Sequence, residues 1–292
     1  KSEVRNLLYP ILAAFEPLAL GFLMEFGSFK NYTDLFDRTN RFGSLFPKSG
    51  EKETDTIKPF HRSVSDWITS NQMAYPYYID VHYGHKVLCE FGWQLFTSGK
   101  LPDSDYFSNH LATHLIVIED WDKLSALISN SYFFDFFYKQ GRKHELLRFC
   151  LQLFKHKDPV SIFQASIDEL SATGIEDKTL YSFTNEIAQI LRDMGLPADA
   201  LPFAKQSLNL QLKITGEEHH KIADIYREIA EIQRLLEDFE SAFYNYNAAL
   251  KIYEAKYGEN SVEVATIYHD FAEFYRDQKK YDEAIHYNKK EL

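Results

Sequence analysis

The chain of 292 residues is long enough for two or three domains, and 45% of its residues are hydrophobic, which suffices for a sizeable core. It contains only 12 Gly and 9 Pro, which disfavours short strands joined by turns and favours long helices. The formal net charge of −11 argues against general nucleic-acid binding, because affinity for phosphates depends on clustered Lys and Arg.

The two cysteines, Cys89 and Cys150, lie far apart in apolar helical patterns. We therefore expect buried thiols in a reducing compartment and a cytoplasmic location. No stretch approaches the roughly 18 apolar residues of a membrane span, and no signal peptide is evident, so we predict no membrane association. The chain opens at Lys1 and ends at Leu292 within amphipathic patterns, and we infer that it is part of a longer protein.

Residues 1–75 are predicted to form a winged-helix domain. Three helical patterns come first, and the third begins near Asn31 or Thr33, two residue types that favour N-caps. A polar loop, PKSGEKETDT, then separates the segments SLF and IKPF, which suits a two-stranded hairpin. This wing is a minor β element in a chain otherwise predicted to be all-α. The helical patterns are VRNLLYPILAAF, LALGFLMEF and NYTDLFDRTNRFGSLF.

Residues 76–141 are predicted to be a helical connector. In HLATHLIVIEDWDKLSALI, His110 and His114 have the i, i+4 spacing of zinc ligands on a helix. No third ligand is evident, so the pattern favours an amphipathic packing helix and we predict no metal site. Three tryptophans also lie in apolar helical patterns and are predicted to be core residues: Trp67, Trp93 and Trp121.

Residues 142–292 are predicted to be a helical repeat array with a period of 42 residues. Small residues recur at this offset, as close helix packing requires. The first unit, at about 142–180, is degenerate, and the array is predicted to be truncated because no polar capping helix follows. The matching positions are Ala188, Ala230 and Ala272; Ala200, Ala242 and Ala284; Leu208, Leu250 and Leu292; and Gly174, Gly216 and Gly258.

This pattern resembles the tetratricopeptide repeat, whose usual period is about 34 residues. The longer second helices, ending in KITGEEHHK and AKYGENSVE, resemble the kinesin-light-chain subclass. The resemblance implies an α-solenoid that binds another protein. Residues on the consensus positions are Tyr226, Ile229, Ala230, Ala242, Tyr246 and Ala249, and then Tyr268, Phe271, Ala272, Tyr275 and Ala284.

In this repeat class the first helices line a concave groove, and their polar residues are predicted to bind the protein partner. Arg192, Arg234 and Arg276 share one repeat position and are expected to form a ladder suited to carboxylate capture. We expect their joint replacement by Ala to abolish partner capture with little change in the thermal melt; a merely solvated helix face is the alternative. The predicted groove residues are Asn185, Gln189, Arg192, Arg227, Glu231, Arg234, His269, Glu273 and Arg276, with Asp193, Asp224, Asp277 and the apolar Leu235 on the same face.

The segments PFHRSVSDWI, YGHKVLC and HLATHLIVIEDWDKLSALI resemble the region between the nucleotide module and the repeats of STAND-class signalling NTPases. These are NACHT and AP-ATPase relatives, including nephrocystin-type and bacterial antiviral proteins. The resemblance implies that the chain is the non-catalytic regulatory and sensor region of such a protein. It would recognise a protein trigger and couple it to nucleotide-dependent activation and self-oligomerisation of the parent, in immune or antiviral defence.

The same resemblance implies one nucleotide-sensing residue. In the apoptosome and plant-resistance branches, the histidine of a Met-His-Asp motif contacts the β-phosphate of ADP. Phe60-His61-Arg62 occupies the corresponding place, although Arg62 stands where the family has Asp. An imidazole N–H at a helix N-terminus suits a phosphate oxygen; the alternative is that His61 pairs with a backbone group. ATP or ADP would bind the parent protein.

No catalytic motif accompanies these features. The sequence contains no G-x-x-x-x-G-K-[ST], H-E-x-x-H, paired C-x-x-C or G-x-S-x-G, so we predict that this chain is not an enzyme and needs no cofactor of its own. Two other functions stay open. One is a cargo or scaffold adaptor like kinesin light chain. The other is a transcription regulator whose winged helix reads DNA, although NYTDLFDRTNRF has balanced charges.

Overall fold

The computed structural model describes residues 2–26, 29–50, 55–216 and 219–291. The chain forms two compact units, Lys1–Ile128 and Ser129–Leu292. The three-part division expected from the sequence, at 1–75, 76–141 and 142–292, stays a prediction.

The first unit is built mainly from helices. Helix α3 begins after Asn31, whose side chain accepts a hydrogen bond from the backbone N–H of Asp34 at 3.0 Å, so Asn31 is the N-cap of the two candidates. The helices are α1 (Ser2–Ala13), α2 (Leu20–Leu23), α3 (Tyr32–Asn40), α4 (Arg62–Ile68), α5 (Asn71–Ala74), α6 (Val81–Thr97), α7 (Asp105–Val117) and α8 (Trp121–Ile128).

A small antiparallel sheet with the order β1-β3-β2 lies among these helices, built from Leu18–Ala19 (β1), Lys48–Ser49 (β2) and Thr56–Ile57 (β3). The central strand pairs Ile57 with both Leu18 and Lys48. The strands of the hairpin lie closer to the turn than the predicted SLF and IKPF segments, and residues 51–54 of the predicted loop lie outside the described residues. The winged-helix assignment stays a prediction.

Two glycines let the long helices of this unit approach closely. A Cβ on Gly84 of α6 would lie 2.2 Å from the backbone oxygen of Tyr9 in α1, and one on Gly92 would lie 2.7 Å from the ring of Phe107 in α7. Gly costs helix stability relative to Ala, but here only Gly leaves room for the neighbouring helix. The core that results includes Leu88, Phe107, Leu111 and Leu115, all fully buried.

The second unit consists of helices throughout its described part. Helices α12 to α17 form three successive pairs with the predicted 42-residue spacing, and α10 with α11 occupies the place of the predicted degenerate unit. The helices are α9 (Ser131–Lys139), α10 (Lys143–Leu153), α11 (Pro159–Ala172), α12 (Asp177–Asp193), α13 (Pro197–Thr215), α14 (His220–Leu235), α15 (Phe239–Tyr257), α16 (Val262–Asp277) and α17 (Tyr281–Glu291).

The small residues that revealed the repeat either end a helix or lie buried where helices pack. Gly216 and Gly258 end α13 and α15 with φ of 78° and 86°, a left-handed conformation that suits Gly. Leu292, the last member of the leucine series, lies outside the described residues. The recurring alanines are all buried: Ala188, Ala200, Ala230, Ala242, Ala272 and Ala284.

Two classes of predicted core residue have different outcomes. Cys89 and Cys150 are buried free thiols, as predicted, and burial raises the pKa of Cys89 to about 12. Trp67, however, is 43% exposed, so its assignment to the core is wrong. It lies in α4, which has only seven residues and buries Ile68 instead.

In the described part of the chain, no helix is long and apolar enough to cross a membrane.

Candidate protein-binding site

The predicted groove residues lie on three consecutive first helices, α12, α14 and α16. Each of these helices is amphipathic: residues such as Ile187, Ile229 and Phe271 are buried, so the polar residues occupy the remaining faces. Asn185 and Gln189 are partly exposed on α12, and the His269 side chain is 53% exposed on α16. We call the polar residues of these three helices the inner face; they are the predicted set given above together with Glu186, Glu228 and Asp270.

Ion pairs run from each first helix to the next across the inner face. Arg192 of α12 donates to Glu228 of α14. Arg227 of α14 donates to both carboxylate oxygens of Asp270 in α16. Guanidinium groups bind carboxylates well in this two-pronged geometry. The arginines therefore connect successive repeats, a structural role that the sequence pattern did not suggest.

Arg234 has the largest set of carboxylate partners among these arginines in the described residues. Its side chain is 8% exposed and lies 2.6 Å from Glu231, 3.4 Å from Glu273, and in contact with Asp277. Burial opposes its ionisation, but the hydrogen bonds and charge of Glu231 outweigh burial and raise the pKa of Arg234 above its ordinary value. The hydroxyl of Tyr246 donates to Glu231 at 2.9 Å, which fixes this carboxylate in turn.

The third member of the predicted ladder, Arg276, is held more loosely. Its side chain is 59% exposed and lies 3.1 Å from Glu273 and 3.8 Å from Asp277. All three ladder arginines thus have carboxylate partners on the protein itself, and their burial decreases strongly from Arg234 to Arg276.

A register of acidic residues on the inner face was missed by the sequence analysis. Glu186, Glu228 and Asp270 share one position of the 42-residue frame, so the same self-alignment could have found them. Burial raises the pKa of all three carboxyl groups. Arg192 and Arg227 reach the second and third, whereas Glu186 accepts a hydrogen bond from the Ser182 hydroxyl at 3.2 Å.

Glu186 is electrostatically different from the other two. Burial and the charge of Asp135 raise its pKa to about 7. On Glu228, Oε1 is buried and has no hydrogen-bond partner in the described part of the chain. Glu186 therefore leaves acceptor capacity on the part of the inner face formed by α12 and α14, whereas Glu228 Oε1 is closed to solvent.

The inner face as a whole is acidic. It carries four guanidinium groups, and all of them lie within ion-pair distance of its own carboxylates. Eight carboxylates accompany them: Glu186, Asp193, Asp224, Glu228, Glu231, Asp270, Glu273 and Asp277.

His61, the predicted nucleotide-sensing residue, is the N-cap of α4. Its Nδ1 accepts a hydrogen bond from the backbone N–H of Ser63 at 3.1 Å, so a neutral ring carries its proton on Nε2. The ring thus makes the contact with a backbone group that was the alternative to nucleotide sensing. Its Nε2–H is still available to donate a hydrogen bond. It lines a cleft of about 270 Å³ whose other residues are Ile11, Ala14, Phe15, Glu16, Pro17, Lys58, Pro59, Arg62 and Ser65.

The two histidines with zinc spacing point to different partners. His114 faces His85 and Tyr106, and His110 lies 3.0 Å from Glu16. Within the described residues, no group of three metal-ligating side chains comes together.

Comparison with known proteins decides the nature of the helix pairs. Residues 179–255 and 222–292 match the sequence profile of the Tetratricopeptide repeat family. The C-terminal part of the chain carries tetratricopeptide repeats. Repeats of this kind suit a protein-binding scaffold, because stacked helix pairs build extended concave surfaces. No curated protein matches the chain.

Solved structures that match parts of the chain include one described with TPR-like repeats. BtubC (BKLC) from P. vanneervenii is 20% identical, with 59% of this chain and 70% of that chain covered and a TM-score of 0.40. A Podosopora anserina protein described as a kinesin light chain with nearly identical TPR-like repeats is 12% identical, with 73% and 95% covered and a TM-score of 0.41. A single-substitution variant of that protein has a TM-score of 0.42 at the same identity and coverage.

Proposed function

We propose that the inner face of the tetratricopeptide repeats binds a basic segment of a protein ligand. The observation that carries this proposal is the imbalance of charge on that face. Its four arginines already pair with its own carboxylates and Lys143 pairs with Asp193, yet the carboxylates still outnumber these cations. An acidic ligand would have to displace these internal partners, whereas a ligand with Lys or Arg finds acceptors in place.

The end of the face formed by α12 and α14 supplies the best acceptor. Glu186 has no guanidinium partner among the described residues and is partly exposed. An Arg or Lys side chain placed there would form charge-assisted hydrogen bonds, which are stronger than neutral ones. Its positive charge would also favour the ionised form of Glu186, whose pKa burial and the charge of Asp135 raise to about 7.

A binding titration with paired peptides tests this proposal. The full chain is titrated with an extended Lys/Arg-rich peptide and with the same peptide carrying Glu and Asp in place of Lys and Arg. We expect the basic peptide to bind more tightly and its affinity to fall as salt rises. Glu186→Gln should weaken binding of the basic peptide about tenfold, whereas Glu240→Gln, an exposed carboxylate on α15, should leave it unchanged. Preference for the acidic peptide would overturn the proposal.

We further propose that the chain is the regulatory and sensor region of a STAND-type NTPase, located in the cytoplasm and acting in immune or antiviral defence. The parent would bind ATP or ADP, and trigger binding by the repeats would drive its activation and oligomerisation. The sequence resemblance supports this, as does the position of His61 beside Lys58 and Arg62 in one cleft. These three side chains could together meet a phosphate group.

Two measurements test the wider proposal. The coding sequence upstream of Lys1 should encode a nucleotide-binding module with a Walker A loop; a coiled coil there would favour the adaptor function instead. In the parent protein, His61→Ala should release bound ADP faster, whereas Asn71→Ala at the start of α5 should not. Unchanged ADP release would remove the nucleotide role of His61.

A further inference from the structure

A hydrogen-bonded chain of three buried side chains crosses the first unit between α6 and α7. His85 Nδ1 lies 2.7 Å from His114 Nδ1, and His114 Nε2 lies 2.8 Å from the hydroxyl of Tyr106. His85 and Tyr106 are each 7% exposed and His114 is fully buried. We call these three residues the histidine chain; neither the inner face of the repeats nor the His61 cleft includes them.

The geometry of the histidine chain limits how many protons its two rings can carry. Two Nδ1 atoms at 2.7 Å form a hydrogen bond only when one of them carries a hydrogen and the other accepts it. Donation can run from Tyr106 through His114 to His85, or in the opposite direction. In either direction His114 donates from one nitrogen and accepts at the other, so its ring is neutral. His85 is neutral when it accepts, and when it donates the bond between the rings is kept whether or not its Nε2 also carries a proton.

Added protons disrupt this arrangement in two steps. The first must leave a positive charge among buried groups, which is unfavourable without a partner of opposite charge. The second places hydrogens on both facing nitrogens, because a doubly protonated ring donates from each of its nitrogens. The bond between His85 and His114 is then lost and two like charges face each other.

The surroundings offer little compensation for such charges. Among the described residues, the acidic side chain whose charge acts directly on the histidine chain is Glu16, which is 60% exposed and lies against His110. Burial, together with neighbouring histidines, lowers the pKa of His85 to about 4 and that of His114 to about 2. The titratable groups around the histidine chain are His82 and Cys89 on α6, His110 on α7 and Glu16 after α1, with Glu90, Asp120 and Lys123 acting through Cys89.

The histidine chain is covered by the segment that follows α1. The ring of Phe15 stacks on that of His114 at 4.7 Å between centroids, and the backbone N–H of Phe15 donates to the Tyr106 hydroxyl at 3.4 Å. Phe15 is nevertheless 46% exposed. Phe15, Glu16 and Pro17 also line the cleft of His61. The same short segment therefore contacts both the histidine chain and the cleft.

We propose that the histidine chain is an acid-sensitive switch, in which protonation separates His85 from His114 and releases the Phe15–Pro17 segment from α7. The consequence reaches the His61 cleft, because this segment forms one of its walls. Acid thus opens a site at which the first unit could hold an anionic ligand. The switch acts within the first unit and does not depend on ligand binding by the repeats.

Hydrogen exchange on the full chain tests the switch. Exchange of Phe15, Glu16 and the α7 amides, corrected for intrinsic rate, is compared at pH 7.5 and pH 5. We expect opening to increase on the order of tenfold or more, since each histidine that must stay neutral contributes up to about tenfold per pH unit below its unfolded pKa. His85→Gln with His114→Gln should remove this pH dependence, and His144→Gln, at an exposed histidine on α10, should retain it.

A second measurement keeps the proposal testable if the double variant does not fold. Nitrogen chemical shifts of the imidazole rings in the wild-type chain should show His85 and His114 as neutral tautomers at pH 7 and still largely neutral at pH 5 in the closed form. Titration of both rings near the ordinary histidine pKa would overturn the proposal. Equal exchange at the two pH values, or an unchanged pH dependence in the double variant, would overturn it as well.

Discussion

Two buried polar sites of this chain, one in each unit, are stabilised in opposite ways. The repeats use charged pairs, such as Arg227 with Asp270 and Arg234 with Glu231, placed on a face that water still reaches at its edges. Between α6 and α7 the first unit instead buries His85 and His114, whose rings bond to each other and not to a charged partner. Burial of a charge requires a partner of opposite charge, whereas burial without one favours the neutral form. The two units should therefore respond differently to packing changes, to loss of a charge and to pH.

The largest expected effect concerns packing in the first unit. Gly84→Ala should destabilise this unit by about 3 kcal/mol or more, because the added methyl would overlap the backbone of α1. Gly21→Ala in α2 is the matched control: an added Cβ there meets nothing within 4 Å, so stability should be unchanged or slightly higher. Urea unfolding of both variants measures the difference. Equal stability of the two would show that α1 and α6 adjust freely.

The next largest expected effect is the loss of stability when the buried arginine Arg234 is replaced. Arg234→Ala should destabilise the repeats by about 2–3 kcal/mol, since it leaves Glu231, Glu273 and Asp277 without this cation on a largely buried site. Arg276→Ala removes an arginine from the same repeat position, but one that is 59% exposed, and should cost less than about 1 kcal/mol. Equal losses in urea unfolding would mean that burial does not set the strength of these pairs.

These expected losses revise the sequence-based view of the arginine ladder. Replacing all three arginines by Ala should lower the thermal midpoint of the repeats, rather than leave it nearly unchanged, because two of them connect successive repeats. A loss of partner capture in that triple variant would then not separate binding from stability. Glu186→Gln is the cleaner substitution, since it removes a charge without removing an ion pair to arginine.

The smallest expected effect is an opposite pH response of the two units. Glu186 has its folded pKa raised to about 7, so it favours folding when protonated, and its contribution is lost as pH rises from about 4.5 to 7. The repeats should gain about 1–2 kcal/mol from Glu186 on acidification from pH 7 to pH 5, after discounting for partial exposure. The first unit should lose stability below pH 6.5, because its histidines have lowered pKa values.

Unit-resolved hydrogen exchange between pH 7 and pH 5 distinguishes the two responses. Glu186→Gln should remove the gain in the repeats and leave the first unit unaffected. If both units lost stability in parallel on acidification, the expected difference between Glu186 in the repeats and the two buried histidines of the first unit would be wrong.

Much of the repeat architecture could be predicted from the sequence because its signal is periodic. Ala188, Ala230 and Ala272 recur at one offset, and the structure buries all three. The pairing on the inner face could not be predicted in the same way. Arg192 reaches a carboxylate 36 residues away and Arg227 one that is 43 residues away. Neither separation equals the repeat period, and which of several nearby acids a guanidinium selects depends on the crossing of the helices.

The histidine chain shows a different limit of sequence reasoning. His110 and His114 share a helical face, and this local spacing drew attention to them as a pair. The partner of His114 is instead His85, 29 residues earlier on another helix. Only the packing of α6 against α7 brings these rings together. Trp67 shows a similar limit. Its helix α4 has only seven residues, and so short a segment does not indicate which side of the helix faces the core.

Gly84 also has a consequence for evolution. Every other amino acid carries a Cβ, and at this position that atom would lie 2.2 Å from a backbone oxygen, which no choice of side-chain rotamer can avoid. Homologues that keep the contact between α1 and α6 should therefore retain glycine here even where the neighbouring residues have diverged. A homologue with another residue at this site should have moved or lost its first helix. One position could thus serve as a marker for following the first unit through lineages whose repeats have diverged.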